Sequence, residues 1–437
     1  MRFKNIIQNI GANLLTTLLG LVGSIILARW LGPNQRGIFA AIILIPNVLQ
    51  YFVNFGLSSA TVYFTAISGN DKHKTWSSVF MVGLFQSIVG LLFGWEIIDF
   101  YLPKFSSNSV QLGHLYLFTL PLGLFGMYAT YMLQGASYFK ITNLLKCIVP
   151  AGYCVGILIL KTQNILSVEN MVYVQILIQS VYLIVSFAFL YKIILLRFSL
   201  HVDFDYIRRM LNYGLKVWFG DVAQLANSRI DQFLIGFFLK STDLGIYTVA
   251  VSVAGFTSVF ANAVKTIIVP TVAGKTNFTE KAHEIVFYFK RYWIFSLIFQ
   301  LMFMLSVYIL IPFIFGNQYS ESVKISQILM VGYLFINAKT VLAGGIQGLG
   351  FPEIISTVEI IGMIISLIFS YLLIQNLGLL GVSIAISLAY FSQFVSLIIF
   401  IKIKAISSYQ NLLIFSRNEL REIFVGLKII INKLIIK

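Results

Sequence analysis

Leu31-Gly32-Pro33-Asn34-Gln35-Arg36-Gly37-Ile38-Phe39 returns 208 residues later as Leu239-Lys240-Ser241-Thr242-Asp243-Leu244-Gly245-Ile246-Tyr247. The same offset pairs Phe52 and Asn54 with Phe260 and Asn262. A second echo sets Gln134-Gly135-Ala136-Ser137-Tyr138 against Gln347-Gly348-Leu349-Gly350-Phe351 at an offset of 213, a slip that fits a changed connecting loop. Chance apolar similarity explains any one echo. Several at matching positions along the chain point to an internal duplication.

The repeated unit lies in lipid. The chain has 437 residues, 58% of them hydrophobic and 11% charged, with a mean hydropathy of +0.88, more apolar side chain than a soluble fold can hide. Twelve apolar spans are expected at about 10–31, 38–64, 77–102, 112–134, 141–161, 170–196, 211–239, 244–272, 291–316, 325–348, 352–375 and 377–403. The first runs on without a small-residue cleavage site and reads as a retained span. Six spans per repeat is even, so the second half re-enters from the same side. The repeats, 1–200 and 201–403, are then parallel and related by an axis along the membrane normal. The substrate path falls between them, lined by spans one, two, seven and eight, and rocking of the halves gives alternating access.

Most of the 31 Lys and Arg fall on one side of this arrangement, together with both termini, which makes that side cytoplasmic. The other side holds only Arg29, Arg36, Lys104, Lys161, Lys240 and Lys324. The net charge of +15 is therefore an orientation signal with a contribution to anionic lipid contact, and gives no reason to expect nucleic acid. Trp30, Trp76, Trp218 and Trp293 fall near span ends, as interfacial tryptophans do. Cys147 and Cys154 are one helix apart by about 10.5 Å of rise, too far for a disulfide. In 404–437, Leu420, Ile423, Phe424, Leu427, Ile430, Ile431, Leu434 and Ile435 share one helical face, an amphipathic basic tail lying on the cytoplasmic surface.

Ala28-Arg29-Trp30-Leu31-Gly32 with Gly37-Ile38-Phe39, Asp231-Gln232-Phe233-Leu234-Ile235-Gly236 with Leu244-Gly245-Ile246-Tyr247, and Gly378-Leu379-Leu380-Gly381-Val382-Ser383-Ile384-Ala385 resemble the polysaccharide transporter family. This is the O-antigen and capsule repeat-unit flippase branch of the multidrug/oligosaccharidyl-lipid/polysaccharide exporter superfamily. The resemblance covers residues 5–403. It implies an all-α polytopic fold of about twelve helices in two six-helix lobes around a V-shaped central cleft. It also implies transfer of undecaprenyl-pyrophosphate-linked oligosaccharide between leaflets of a bacterial cytoplasmic membrane, alongside a polysaccharide polymerase and a chain-length regulator.

Flipping needs no catalytic residue. A pyrophosphate and its sugars must cross about 30 Å of hydrocarbon, and a wet cleft with cationic walls replaces their lost hydration. The seventh span, NYGLKVWFGDVAQLANSRIDQFLIGFFL at 212–239, is the first place to look, because a charge at the bilayer centre costs at least about 2.5–3.5 kcal/mol. Arg229 is its deepest cation and the leading phosphate ligand. Asp221 and Lys265 match in depth on antiparallel spans, so they either pair structurally or face the cleft. Lys339 lines the cleft or snorkels, Lys216 snorkels, and Arg29 either receives the emerging head group or is solvated, like Arg36. Gln50, Asn54, Gln224, Asn227 and Asn262 are sugar ligands or helix-contact residues. Asp231 binds a coupling cation, pairs with Arg29, or fixes its helix; Asp221 and Glu359 are further candidates for proton or sodium coupling.

No G-x-x-x-x-G-K-[ST] loop, Cys/His cluster or nucleophile–base set occurs, so neither a fused ATPase nor a bound metal cofactor is expected. Asn277-Phe278-Thr279 fits a glycosylation sequon only by accident, in a cytoplasmic loop. Two alternatives stand beside a flippase. A cation-coupled multidrug exporter would favour a net acidic cleft, whereas the within-span cations outnumber the carboxylates here. A membrane polysaccharide polymerase would carry a large periplasmic loop, and the outer loops are short. The reading is a carrier, not an enzyme.

Overall fold

The computed structural model describes residues 2–67, 72–194 and 203–403, helical almost throughout. The helices are α1 (Arg2–Asn54), α2 (Leu57–Ile67), α3 (Lys72–Tyr101), α4 (Ser107–Leu117), α5 (Thr119–Gly135), α6 (Phe139–Thr162) and α7 (Val168–Ile194) in the first half. The second half contributes α8 (Phe204–Phe238), α9 (Ser241–Gly255), α10 (Ser258–Ala273), α11 (Phe278–Phe315), α12 (Glu321–Leu349) and α13 (Pro352–Ile403). In lipid every backbone N–H and C=O must be satisfied within its segment, which is why apolar runs of this length can only be helices. The proposed amphipathic tail, 404–437, lies outside the described residues.

The expected spans are recovered once the helix breaks are counted. Seven of these helices, and α4 with α5 taken as one, are long and apolar enough to cross a membrane, and α9 with α10, bent by 42°, makes a ninth such stretch. Gly32 interrupts α1 at φ 76°, ahead of Pro33, and Gly378 interrupts α13 at φ 53°. Glycine takes these angles at no steric cost, so each long helix is two spans joined at a sharp turn. The charge-rich α8 fails the apolarity test although it is 35 residues long. The chain is a multi-pass all-α membrane protein.

Span two breaks between α1 and α2, where Phe55 and Gly56 turn left-handed. The freed backbone groups are answered by side chains. Asn54 Oδ1 accepts from the Ser58 amide at 3.2 Å, Gln86 Nε2 donates to the Asn54 carbonyl at 2.9 Å, and Trp218 Nε1 donates to the carbonyls of Tyr51 and Phe52, both at 3.1 Å. Asn54 is therefore buried as a helix-end cap instead of being offered to a sugar. The tryptophan expectation is corrected with it. Trp76 is buried with its edge on Phe187, Trp293 stacks on Phe394, and Trp218 caps the break. Trp30 alone of these four is well exposed, with the Lys161 ammonium 5.0 Å from its ring.

Two apolar cores hold the bundle. One draws on both halves, through Leu27, Phe39, Tyr101, Tyr247, Tyr319 and Ile386 among others. The second is confined to the latter half, around Ile268, Phe289, Val341 and Leu397. Helix α1 lies along α9 and α6, while α8 lies along α13 and α2.

Candidate functional site

The two copies of the repeated motif pack directly on one another. A Cβ placed on Gly37 would overlap the carbonyl oxygen of Ser241, and one on Gly245 would overlap that of Pro33. Ser241 is the repeat equivalent of Pro33, and Gly245 of Gly37, so the contact is reciprocal. The Ser241 hydroxyl also donates to Asn34 Oδ1. Beside this closure Arg36 is buried, its Nη2 donating to Ser24 Oγ at 3.1 Å and its Nε unpartnered. Of the two alternatives for Arg36, a head-group receiver or a solvated loop charge, this burial removes the second.

At the opposite end the two seams differ. Along α2 and α8 the halves touch: a Cβ on Gly214 would sit 2.7 Å from the Phe55 carbonyl, Tyr63 stacks on Tyr213 at 4.5 Å, and Thr75 shares a 2.7 Å hydrogen bond with Tyr206. Lys74 closes this seam with a 2.6 Å ion pair to Asp203. That hydrogen bond from Lys74, then the Tyr206 amide donating to the same carboxylate, hold the Asp203 carboxyl below the ordinary carboxylate range. Since its folded value is depressed, its contribution is fully present above the unfolded value and is lost as pH falls through the folded one. Protection of the amides at residues 204–207, measured against their intrinsic exchange rates, should therefore fall below about pH 4, and Asp203→Asn should show that lower protection already at neutral pH.

Along α1 and α10 the equivalent seam encloses a cavity of about 540 Å³ instead. Asn13, Thr16 and Thr17 line it from α1, and Ser258, Asn262 and Lys265 from α10. Lys265 also faces a second cavity of about 500 Å³ between α8, α10, α12 and α13, with Lys216, Asp221, Gln224, Glu353 and Glu359. Of the two alternatives for Asp221 and Lys265, the pairing is not seen: both line one cavity, and among the described residues no ion pair joins them.

The ion pair forms one helix further on. Lys339 Nζ on α12 donates to Glu359 Oε1 on α13, with the side chains 5% and 8% exposed. Asn227 Nδ2 on α8 donates to Glu359 Oε2 at 2.9 Å and to the Glu359 carbonyl at 2.8 Å. Lys339 thus does not snorkel, and Glu359 is a paired carboxylate. Buried charges need this pairing. The signal was in the sequence: Lys339 and Glu359 lie at similar depths from the ends where α12 turns into α13.

Asp231 is not paired with Arg29. It is 3% exposed and accepts from the Tyr247 hydroxyl and its neighbour's amide, Gln232, both at 2.7 Å. Arg29 Nη1 donates instead to the carbonyls of Phe313 and Ile314, at 3.2 and 3.3 Å. Arg229 is exposed on α8, its Nη1 donating to Gln232 Oε1 at 3.3 Å. Gln50 lies against Gly123, where a Cβ would come 3.0 Å from its amide nitrogen. The candidate cations are thus dispersed: Arg29 meets carbonyls of α11, Lys339 is paired with Glu359 on α13, Arg229 lies on α8 beside Gln232, and Lys216 and Lys265 line one cavity.

A bundle of discontinuous helices with polar cavities between them is an arrangement that membrane carriers use. The profile of the polysaccharide biosynthesis protein family matches residues 26–324, and the chain belongs to this family. It is 21% identical over 406 residues to the "Putative O-antigen transporter" of Shigella flexneri, covering 88% of this chain and 94% of that protein. It is 22% identical over 392 residues to a membrane protein of Methanocaldococcus jannaschii, covering 82% and 76% of the two chains. Its fold is that of the lipid II flippase MurJ in an inward closed conformation (TM-score 0.73, 17% identity, 95% of this chain and 91% of that one). It is also that of an inward-facing multidrug resistance MATE family transporter of the MOP superfamily (TM-score 0.71, 15% identity, 93% and 99%). These relatives uphold the polysaccharide transporter resemblance and the reading as a carrier, not an enzyme.

Proposed function

We propose that the chain flips undecaprenyl-pyrophosphate-linked oligosaccharide repeat units across a bacterial cytoplasmic membrane, for O-antigen or capsule assembly. The two halves, 1–200 and 201–403, rock about the reciprocal glycine contact. With both termini cytoplasmic, as the charge distribution gives, that contact is the periplasmic gate and the α1/α10 seam opens toward the cytoplasm.

The observation that carries this reading is the polar cavity in that seam. A lipid-linked substrate is part oil and part anion. Its polyprenyl tail stays in the bilayer at the seam while its pyrophosphate and sugars enter between Lys265, Asn262 and the α1 hydroxyls. Arg229 and Arg29 follow along the path, with Gln50 and Gln224 as sugar partners. Polysaccharide polymerase and chain-length regulator act downstream.

Proteoliposomes loaded with a fluorescent undecaprenyl-pyrophosphate-linked oligosaccharide give the test. The chain should expose the labelled sugar to a membrane-impermeant quencher. Lys265→Ala and Arg229→Ala should each slow this roughly tenfold to hundredfold, the worth of a charge-assisted hydrogen bond. Normal export by Arg229→Ala at unchanged protein level would remove Arg229 from the path. Asp221, Glu353 and Glu359 in the second cavity favour one other reading, a cation-coupled drug exporter. Movement of a cationic dye without movement of the lipid would establish that reading instead.

A further inference from the structure

The buried Lys339–Glu359 pair stands directly behind the second cavity, where a head group passing Lys265 would arrive. Glu359 faces the cavity, and Lys339 sits behind it. With every group charged, Lys216, Lys265 and Lys339 balance Asp221, Glu353 and Glu359, so the site offers an anion no net attraction. Neutralising Glu359 alone leaves one net positive charge and the Lys339 ammonium without its partner. An anion placed there then gains a full counter-charge in a low-dielectric site.

Asn227 supplies the second observation. It is 4% exposed and spends its amide nitrogen twice on Glu359, yet its Oδ1 accepts nothing. An orphaned buried acceptor costs about 1–3 kcal/mol. Beside it stands a carboxylate that, once protonated, offers one O–H donor.

We propose that Glu359 takes up one proton from water as an anionic pyrophosphate group enters the cavity, which transfers Lys339 from the carboxylate to the anion. Proton and anion bind together, each raising the affinity for the other. The groups that face Glu359 and enter this balance are Lys339 on α12, Lys265 on α10, Lys216 and Asp221 on α8, and Glu353 and Tyr390 on α13. The proposal rests on the flippase reading for the identity of the anion.

The test uses the full chain in lipid nanodiscs with a short-chain polyprenyl pyrophosphate-linked N-acetylhexosamine. As a pyrophosphate diester this probe does not change charge between pH 6 and 8. Wild type should bind it more tightly as pH falls, approaching tenfold per pH unit where one proton is taken up. In weak buffer with an indicator dye, binding should consume about one proton per ligand. Glu359→Gln should bind at pH 8 as tightly as wild type does at pH 6, with no proton uptake. The probe should also raise the melting temperature of this variant more than that of wild type at pH 8. Lys339→Met should bind weakly at both pH values. Binding without proton uptake by wild type, or retained pH dependence in Glu359→Gln, overturns the coupling and leaves the flippase reading standing. The wild-type dye measurement decides the matter even if the variants fold poorly. No binding by wild type at either pH overturns both.

Discussion

Gly37→Val should abolish transport while leaving the protein folded in the membrane. A side chain at position 37 has no room while the Ser241 carbonyl sits on the glycine, and that neighbour is backbone, which cannot turn aside. Overpacking a well-packed contact costs about 1–3 kcal/mol, and here the strain is relieved simply by keeping the two halves apart. The substitution therefore shifts the population away from the closed gate without unfolding either half. Gly245→Val should act alike through the Pro33 carbonyl, because the contact is reciprocal. The measurement is a disulfide trap at the Asn34–Ser241 hydrogen bond, Asn34→Cys with Ser241→Cys, in a background lacking Cys147 and Cys154. Oxidation should cross-link the pair rapidly, and transport should stop until a reductant is added. Gly37→Val should slow the cross-linking by at least about tenfold, which is the equilibrium shift for 1.4 kcal/mol. Undiminished cross-linking and transport in Gly37→Val would mean that this contact is not a gate.

Glu359→Ala should cost about 3–5 kcal/mol of stability, since it strands the Lys339 ammonium in a site that is 4% exposed. Lys339→Met with Glu359→Leu should recover most of that loss, because an apolar pair of similar volume pays no desolvation penalty. Thermal unfolding in detergent, followed by the solubility of the protein on heating, separates the cases. A double variant no more stable than Glu359→Ala would show that the cost lies in packing and not in the unpaired charge. The comparison with transport then matters. The double variant should be stable and inactive, as a pair kept for coupling requires, whereas a pair kept only to hold α12 to α13 would leave transport intact.

Much of this architecture was legible in the chain itself. The all-α fold of about twelve apolar spans follows from hydropathy, and the family resemblance was carried by the motifs at 28–39, 231–247 and 378–385. Both rest on local sequence, and lipid forces apolar runs into helices. The left-handed turns at Gly32 and Gly378 fall where the expected spans meet. The candidate site was legible only by residue type. Depth reasoning placed Asp221 and Lys265 level and offered their pairing as one alternative, while the same reasoning applied to the α12–α13 turn would have joined Lys339 with Glu359. For Asn54 the choice between sugar ligand and helix contact stayed open, because its role depends on the Phe55–Gly56 break, whose carbonyls Gln86 and Trp218 reach.

That the chain is a multi-pass helical bundle of about twelve spans, and which few ionisable groups enter those spans, follows from the transfer energies of one residue after another and needs no tertiary contact. Which charge neutralises which was decided by the tertiary structure. Depth along a helix leaves its rotation free, and in a low-dielectric interior a displacement of a few ångströms or a turn of the helix separates a paired ammonium from a bare one. Lys339 found Glu359, whereas Lys265 faces the cavity with no ion pair to Asp221.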